Sequence, residues 1–212
     1  LTGNSTLAAG TGTITFGSTV DGGYDLTATA DNFTLSGTMG GSTPLGAVSL
    51  TSANGITLPS INAANIFVRT TGAAADLTIA SGKTLTATGT GTAITLVAGQ
   101  NFINSAGASA LAAGSGRWLV YSTSPTGTTG EETLSNTFNR YGCTYTGGCG
   151  TGVSIPGSGN GLIYAYQPTL TVTPVNDAPV APPVSASGAE DALVPVTLTA
   201  TDVDGSIASF TV

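Results

Sequence analysis

The residues able to do chemistry are few and unevenly placed. Of eleven carboxylates, Asp177, Glu190, Asp191, Asp202 and Asp204 fall in the last part of the chain, and no histidine is present anywhere. Calcium takes six to eight oxygen ligands, and the two aspartates of Thr201-Asp-Val-Asp-Gly-Ser206 can both point at one ion from a single turn. The same two residues favour such a turn with no ion present. Cys143 and Cys149 are the only thiols, separated by a glycine-rich loop short and pliant enough to let them meet. Closing that loop would remove about 2 kcal/mol of entropy from the unfolded chain. A zinc site needs two further ligands of the right type, and an activated thiol needs a neighbouring His or Lys; neither is in view. A disulfide, and with it an oxidising compartment outside the cytoplasm, is the expectation. Trp118 and Tyr121, in Arg117-Trp-Leu-Val-Tyr-Ser122, are candidate ligand contacts as a sugar-stacking platform, or packing residues of a strand.

Catalysis has little to work with. Without histidine, Ser-His-Asp and Cys-His chemistry is excluded. A glycosidase needs two carboxylates facing across a cleft, and a lyase needs acids and bases on one face. Asp21, Asp25, Asp31 and Asp76 are the acids of the first half, with Arg69 and Lys83 too far along the chain to join the first three. They read as solvated turn carboxylates, no catalytic residue is assigned, and the chain is expected not to be an enzyme.

The elements that must position these groups are strands. From Leu45 to Phe102 the chain is written in apolar pairs two residues apart, Val48/Leu50, Ile56/Leu58, Ile66/Val68, Leu77/Ile79 and Ile94/Leu96, with Leu85 and Phe102 between and after them. That is the alternation of a strand with one buried face. Turn residues such as Asn54-Gly55, Thr71-Gly72 and Ala98-Gly99 stop each strand early. Two pairs make a unit of roughly 17 to 21 residues, too small to bury its apolar face alone, so units must stack as a solenoid. Composition agrees: of 212 residues only 7% are charged, and 31 are glycine. A net charge of −7 with four cations leaves no basic patch for a nucleic acid, and no apolar run is long enough for a transmembrane segment. The opening Leu1-Thr-Gly-Asn lacks the features of a signal peptide, so an export signal is expected outside this sequence, in a longer protein.

Toward the start the repeat is looser, with Leu7, Ile14/Phe16, Leu26 and Phe33/Leu35 as the inward residues. Thr13/Thr15, Thr27/Thr29 and Thr86/Thr88 place threonine pairs opposite the buried residue, as β-propensity on a solvated face or as a water-ordering array; their uneven spacing disfavours the array. Beyond Ala112 the texture changes. Trp118-Leu-Val-Tyr121 and a second strand from Gly161 to Pro174 read as an aromatic β cap closing the end of the solenoid. Pro174, Pro179, Pro182 and Pro183 mark a stiff linker. Val194, Val196 and Leu198 then alternate as the inward face of a strand, and Ile207 to Val212 begins another. The expected domains are 1–111, 112–174 and 175–212.

Gly40-Gly-Ser-Thr-Pro-Leu-Gly-Ala-Val-Ser-Leu-Thr51 followed by Ile56-Thr-Leu-Pro-Ser-Ile61 resembles the right-handed parallel β-helix of filamentous-haemagglutinin-like exoproteins secreted by the two-partner route. Val175-Asn-Asp-Ala-Pro-Val180, Glu190-Asp191 and Asp202-x-Asp204-Gly resemble the linker, acidic pair and turn of bacterial cadherin-like or immunoglobulin-like adhesin repeats, here cut short. The second resemblance implies calcium held by Asp177, Glu190, Asp202 and Asp204. Together they imply an all-β adhesin at the bacterial surface or outside the cell: a β-helical shaft presenting binding modules to a host cell, a polysaccharide or an abiotic surface, with an outer-membrane export partner. A carbohydrate-active β-helix (polysaccharide lyase or hydrolase) and an ice-binding or surface-ordering solenoid are the alternatives. Fold alone does not choose among them.

Overall fold

The computed structural model of the chain describes residues 1–168 and 176–211. It divides into two compact units, Leu1–Pro168 and Thr169–Val212. The first unit is built of short strands: β1 (Ser5–Ala8), β2 (Thr13–Phe16), β3 (Leu26–Ala30), β4 (Asn32–Leu35), β5 (Leu45–Ser52), β6 (Ile56–Leu58), β7 (Ile61–Thr70), β8 (Leu77–Ile79), β9 (Leu85–Ala87), β10 (Thr92–Val97), β11 (Phe102–Asn104), β12 (Leu111–Ala112), β13 (Arg117–Ser122), β14 (Phe138–Tyr141), β15 (Cys143–Thr144), β16 (Gly148–Cys149) and β17 (Gly161–Tyr164). One turn of 3₁₀ helix, Glu131–Thr133, is the sole helical element among the described residues.

The fold is all-β with a large parallel sheet. That sheet has ten strands and runs β1-β3-β5-β7-β10-β13-β17-β14, with β9 and β12 joined to it through β7. A three-stranded parallel sheet, β6-β8-β11, and a parallel pair, β2-β4, lie beside it. Every strand pair of this unit is parallel except β15 with β16. The apolar pairs of the sequence stack in register. Leu26, Val48, Ile66, Ile94 and Trp118 form one inward column, and Ala28, Leu50, Val68, Leu96 and Val120 another. In the second sheet Ile56, Leu77 and Phe102 stack, as do Leu58, Ile79 and Asn104. Nearly all of these side chains are fully buried. Each buried Leu, Ile or Val contributes about 1.5–3 kcal/mol, so the columns are the source of stability that no single pass of the chain has.

The step from one strand to the next is uneven: 18 residues from Val48 to Ile66, within the range of the two-pair unit, but 28 from Ile66 to Ile94. Each pass also has a third inward site, where Val20 meets Met39, Met39 meets Ile61, Ile61 meets Leu85 and Leu85 meets Leu111. The alternation there is short and its second member is an alanine, as in Ile61/Ala63 and Leu85/Ala87, so it is faint in the sequence. The ten-residue strand β7 serves two of these places, pairing with β9 through Ile61–Ala63 and with β10 through Ile66–Arg69.

Polar groups close the corners. Asp25 Oδ1 accepts from Ala47 N (2.7 Å), Asp21 Oδ1 from Ser42 N (2.9 Å) and Asp76 Oδ1 from Asn101 N (3.1 Å), each on the next pass of the chain. Thr70 is buried and donates to Ala75 O (2.8 Å) while accepting from Gly99 N (2.8 Å). Asn104 ends its apolar column by donating to Gly107 O (2.9 Å) and Gly130 O (3.1 Å), which ties in the 3₁₀ turn. At the start of the chain Leu7 continues the column of Ala28 but is exposed, and Ile14, Phe16, Phe33 and Leu35 are half-buried against the core.

The aromatic strands extend this sheet. Residues 112–168 therefore belong to the first compact unit, and the division falls after Pro168. The last strand of the first unit, β17, is inserted between β13 and β14, in parallel with both. Gly161 permits this, because a Cβ there would fall on the ring of Phe138 on the neighbouring strand. The remainder of the strand expected to reach Pro174 lies, from Thr169, outside the described residues, as do Pro174 and Val175 of the linker and Val212.

The second unit corrects two expectations. Neither Val194 to Ala200 nor the described part of the segment from Ile207 forms a strand, and Val194, Val196 and Leu198 are exposed. The alternation is in the sequence, but among the described residues no facing sheet buries it. Among the described residues one antiparallel bridge, Val180 with Thr201, holds the segment together.

Candidate functional site

The outward side of the large sheet changes character along its length. Thr27 and Thr29 on β3 are followed in register by Ser49 and Thr51 on β5, then by Phe67 and Arg69 on β7. Past that break the outward residues are mostly apolar, Thr95 aside, and Val97, Leu119, Tyr121 and Ile163 form a second buried cluster. What covers them is the β15–β16 hairpin, closed by a disulfide between Cys143 and Cys149. Cys143 is buried in this cluster, and Phe67, Phe138, Cys149 and Ile155 pack around it. Tyr145, at the hairpin tip, meets Phe67 at 5.5 Å between ring centroids and Tyr121 edge-on at 5.4 Å. Two arginines fasten the segment after the hairpin: Arg117 donates to Pro156 O, and Arg140 Nε donates to Ser154 O (3.0 Å).

Between the hairpin and the sheet lies a crevice of about 160 Å³, lined in part by Arg69, Thr71, Tyr121, Thr123, Tyr145 and Thr146. The Arg69 guanidinium stands 6.0 Å from the centre of the Tyr145 ring, within cation–π range. Its Nε is buried and has no hydrogen-bond partner among the described residues. Thr71 Oγ1 donates to Ser52 O (3.3 Å) and Thr123 Oγ1 to Gly99 O (3.1 Å), which fixes both hydroxyls and leaves their lone pairs as acceptors. Burial raises the pKa of the Tyr121 phenol, opposed by the positive charge of Arg117, so it is protonated and a donor at neutral pH.

Trp118 and Tyr121 do not form one platform. They are three apart on β13 and so face opposite sides of the sheet. Trp118 lies in the main core and is 3% exposed, its backbone N–H held by Asn160 Oδ1 (3.0 Å); Tyr121 lies in the crevice. The three threonine pairs also part company, with Thr13 and Thr15 on β2, Thr27 and Thr29 on β3, and Thr86 on β9.

Of the four acidic residues tied to calcium, the structure gathers part. Asp202 Oδ1 accepts from Gly205 N (2.9 Å) and Asp204 N (3.3 Å), and the Asp204 carboxylate accepts from the backbone N–H of Asp177 (3.2 Å). It is thus the main chain of Asp177 that meets Asp204, and Glu190 is exposed and takes no part. The oxygens are of the right type for calcium. Among the described residues, however, no group of three or more acidic, histidine or cysteine side chains is close enough to hold a metal.

One further acid is out of place. Glu131 has a buried Oε2 with no partner among the described residues, and its pKa is raised chiefly by burial, with the charge of Glu132 adding to this. A carboxyl whose folded pKa lies above its unfolded value binds more protons in the native state, so its contribution to stability is lost as pH rises through and past the ordinary carboxylate range. Glu131→Gln should therefore be more stable than the parent at pH 7, by less than about 1 kcal/mol after solvent screening, and no more stable near pH 3. Thermal melts at the two pH values check this; an equal gain at both would assign the effect to packing.

Searches against family models, curated proteins and solved structures find no match to this chain. Among the described residues no helix is long and apolar enough to cross a membrane. Sequence reasoning did not single out the Arg69 crevice. A signal was there: Phe67 and Arg69 occupy outward positions that Thr or Ser fill on the two preceding strands.

Proposed function

We propose that the chain is part of a secreted or surface-bound structural and adhesive protein, non-catalytic, whose first unit is a right-handed parallel β-helix serving as a shaft. The observation that carries this is the in-register parallel stacking of Leu26, Val48, Ile66, Ile94 and Trp118, which builds length along one direction from short passes of chain. Such a rod projects whatever is attached to it. The disulfide fits export to an oxidising compartment. The resemblance to filamentous-haemagglutinin-like exoproteins supports two-partner secretion through an outer-membrane partner. Asp21, Asp25 and Asp76 hold backbone N–H groups of the next pass, which favours a structural role for these acids over a lyase or hydrolase site. The threonine columns favour ice or surface ordering less, since Phe67 and Arg69 interrupt them at β7.

The reading is tested by coating inert beads with the chain and measuring their retention on host cells, polysaccharide films and polystyrene under flow. Retention above that of albumin-coated beads on at least one surface is expected; equal retention on all three counts against adhesion.

Calcium belongs to this proposal as a stiffener of the second unit. With Asp202 and Asp204 in one turn, calcium should raise the melting temperature relative to chelator, since a ligand bound only by the folded state stabilises it by mass action. Asp202→Ala with Asp204→Ala should abolish the difference. A calcium response unchanged in that double variant, or absent in the parent, would return the two residues to turn formation alone.

A further inference from the structure

We infer that the crevice under the disulfide hairpin binds a carboxylated sugar residue, with the carboxylate on Arg69 and the sugar ring beside Tyr145. The site is incomplete as it stands. A guanidinium is charged at every accessible pH, and burying its Nε–H without an acceptor leaves an unmet demand for one. With Nε itself enclosed, a carboxylate in the crevice accepts from the terminal amino groups of the guanidinium, whose paired N–H groups suit its fork geometry, and its charge offsets the one left without an acceptor. The remaining walls suit a sugar: the ring of Tyr145 offers an apolar face, 44% of that residue being exposed, while Tyr121, Thr71 and Thr123 offer hydroxyl partners.

Size and charge narrow the ligand. At about 160 Å³ the crevice is smaller than the roughly 300–1,000 Å³ that encloses a drug-sized molecule, so it takes a single residue, such as the end of a chain. Among the described residues Arg69 is the only charged one lining it, and the protein carries a net charge of −7. One cation in a negative surround favours a singly charged carboxylate over doubly charged phosphate, and a terminal uronate over a long polyacid. The crevice would bind such a sugar whether or not the chain serves in adhesion, so failure of the bead assay leaves this inference standing.

The test uses the full chain with glucuronate as probe, and glucose, acetate and inorganic phosphate as comparison ligands, followed by NMR. Glucuronate should bind saturably at millimolar concentration and shift the Arg69 Nε–H signal, with the amides of Thr144 to Thr146. Acetate should bind more weakly at the same place, and glucose and phosphate should leave that signal unmoved. Arg69→Gln should weaken glucuronate about tenfold or more, the loss expected for a hydrogen bond to a charged group, and Arg69→Lys by less. If the Gln variant does not fold, the Nε–H shift in the parent decides. Glucuronate that binds Arg69→Gln as well as the parent, or leaves the Nε–H signal unmoved, would overturn the inference. Acetate as tight as glucuronate would overturn its sugar part.

Discussion

Gly40→Ala should destabilise the first unit by roughly 3 kcal/mol or more, while Gly10→Ala should cost only about 1–2 kcal/mol. Both glycines have a left-handed backbone, with φ of 73° at Gly40 and 55° at Gly10, where an L side chain is strained. They differ in what lies beyond. A Cβ at Gly10 meets nothing within 4 Å, whereas one at Gly40 falls on the carbonyl oxygen of Asn62. That carbonyl cannot move away freely. Asn62 N donates to Met39 O (2.8 Å), Met39 N donates to Ser60 O (2.9 Å), and Gly40 N donates to Val20 O (2.7 Å), so the two neighbouring passes of chain are locked on both sides. Relief of the clash must open the third inward site, where Val20, Met39 and Ile61 stack. At about 2–4 °C per kcal/mol for a unit of this size, the two variants should melt several degrees apart. If they melt together, the close packing of passes at Gly40 is not what holds that corner.

The same corner marks the limit of what the sequence discloses. The pairs Val48/Leu50, Ile56/Leu58, Ile66/Val68, Leu77/Ile79 and Ile94/Leu96 are legible as inward residues because alternation with a solvated neighbour is a local property, and all ten are buried. Leu85 is legible too, but Met39, Ile61 and Leu111 stack with it just as regularly and are harder to read, because the second inward residue at this site is only an alanine, as in Ile61/Ala63 and Leu85/Ala87, or is absent, as at Met39. The position of β17 between β13 and β14 was not legible either. It depends on the ring of Phe138 finding room over Gly161, 23 residues away in the chain. In the second unit the alternation of Val194, Val196 and Leu198 was plain, yet a period becomes a strand only when a neighbour takes up its hydrogen bonds. The candidate site shows both cases. The bond between Cys143 and Cys149 follows from a short glycine-rich loop, but where the hairpin lands depends on which outward residues of distant strands are apolar.

Replacing both Cys143 and Cys149 by Ser should loosen the hairpin while leaving the parallel ladders in place. The loop is short, so the entropy its closure removes from the unfolded chain is only about 2 kcal/mol. The native state loses more than the bond, because Cys143 is 1% exposed among Val97, Leu119, Tyr121 and Ile163, and a serine hydroxyl there replaces an apolar sulfur. A fall in melting temperature of roughly 4–8 °C or more is expected for a loss of at least 2 kcal/mol. The pattern of spectroscopic change separates local from global loss. Tyr145 leans on Phe67 and Tyr121 only through the hairpin, so the tyrosine region of the near-ultraviolet circular dichroism should weaken. Trp118 sits on the other side of β13, in a column with Ile94, so its fluorescence maximum should stay where it is. The far-ultraviolet spectrum should keep its β character, since β15 and β16 contribute only two residues each. A red-shifted Trp118 together with lost tyrosine signal would mean that the hairpin holds the sheet together, and an unchanged melt and tyrosine signal would mean that the outer layer stands without its disulfide.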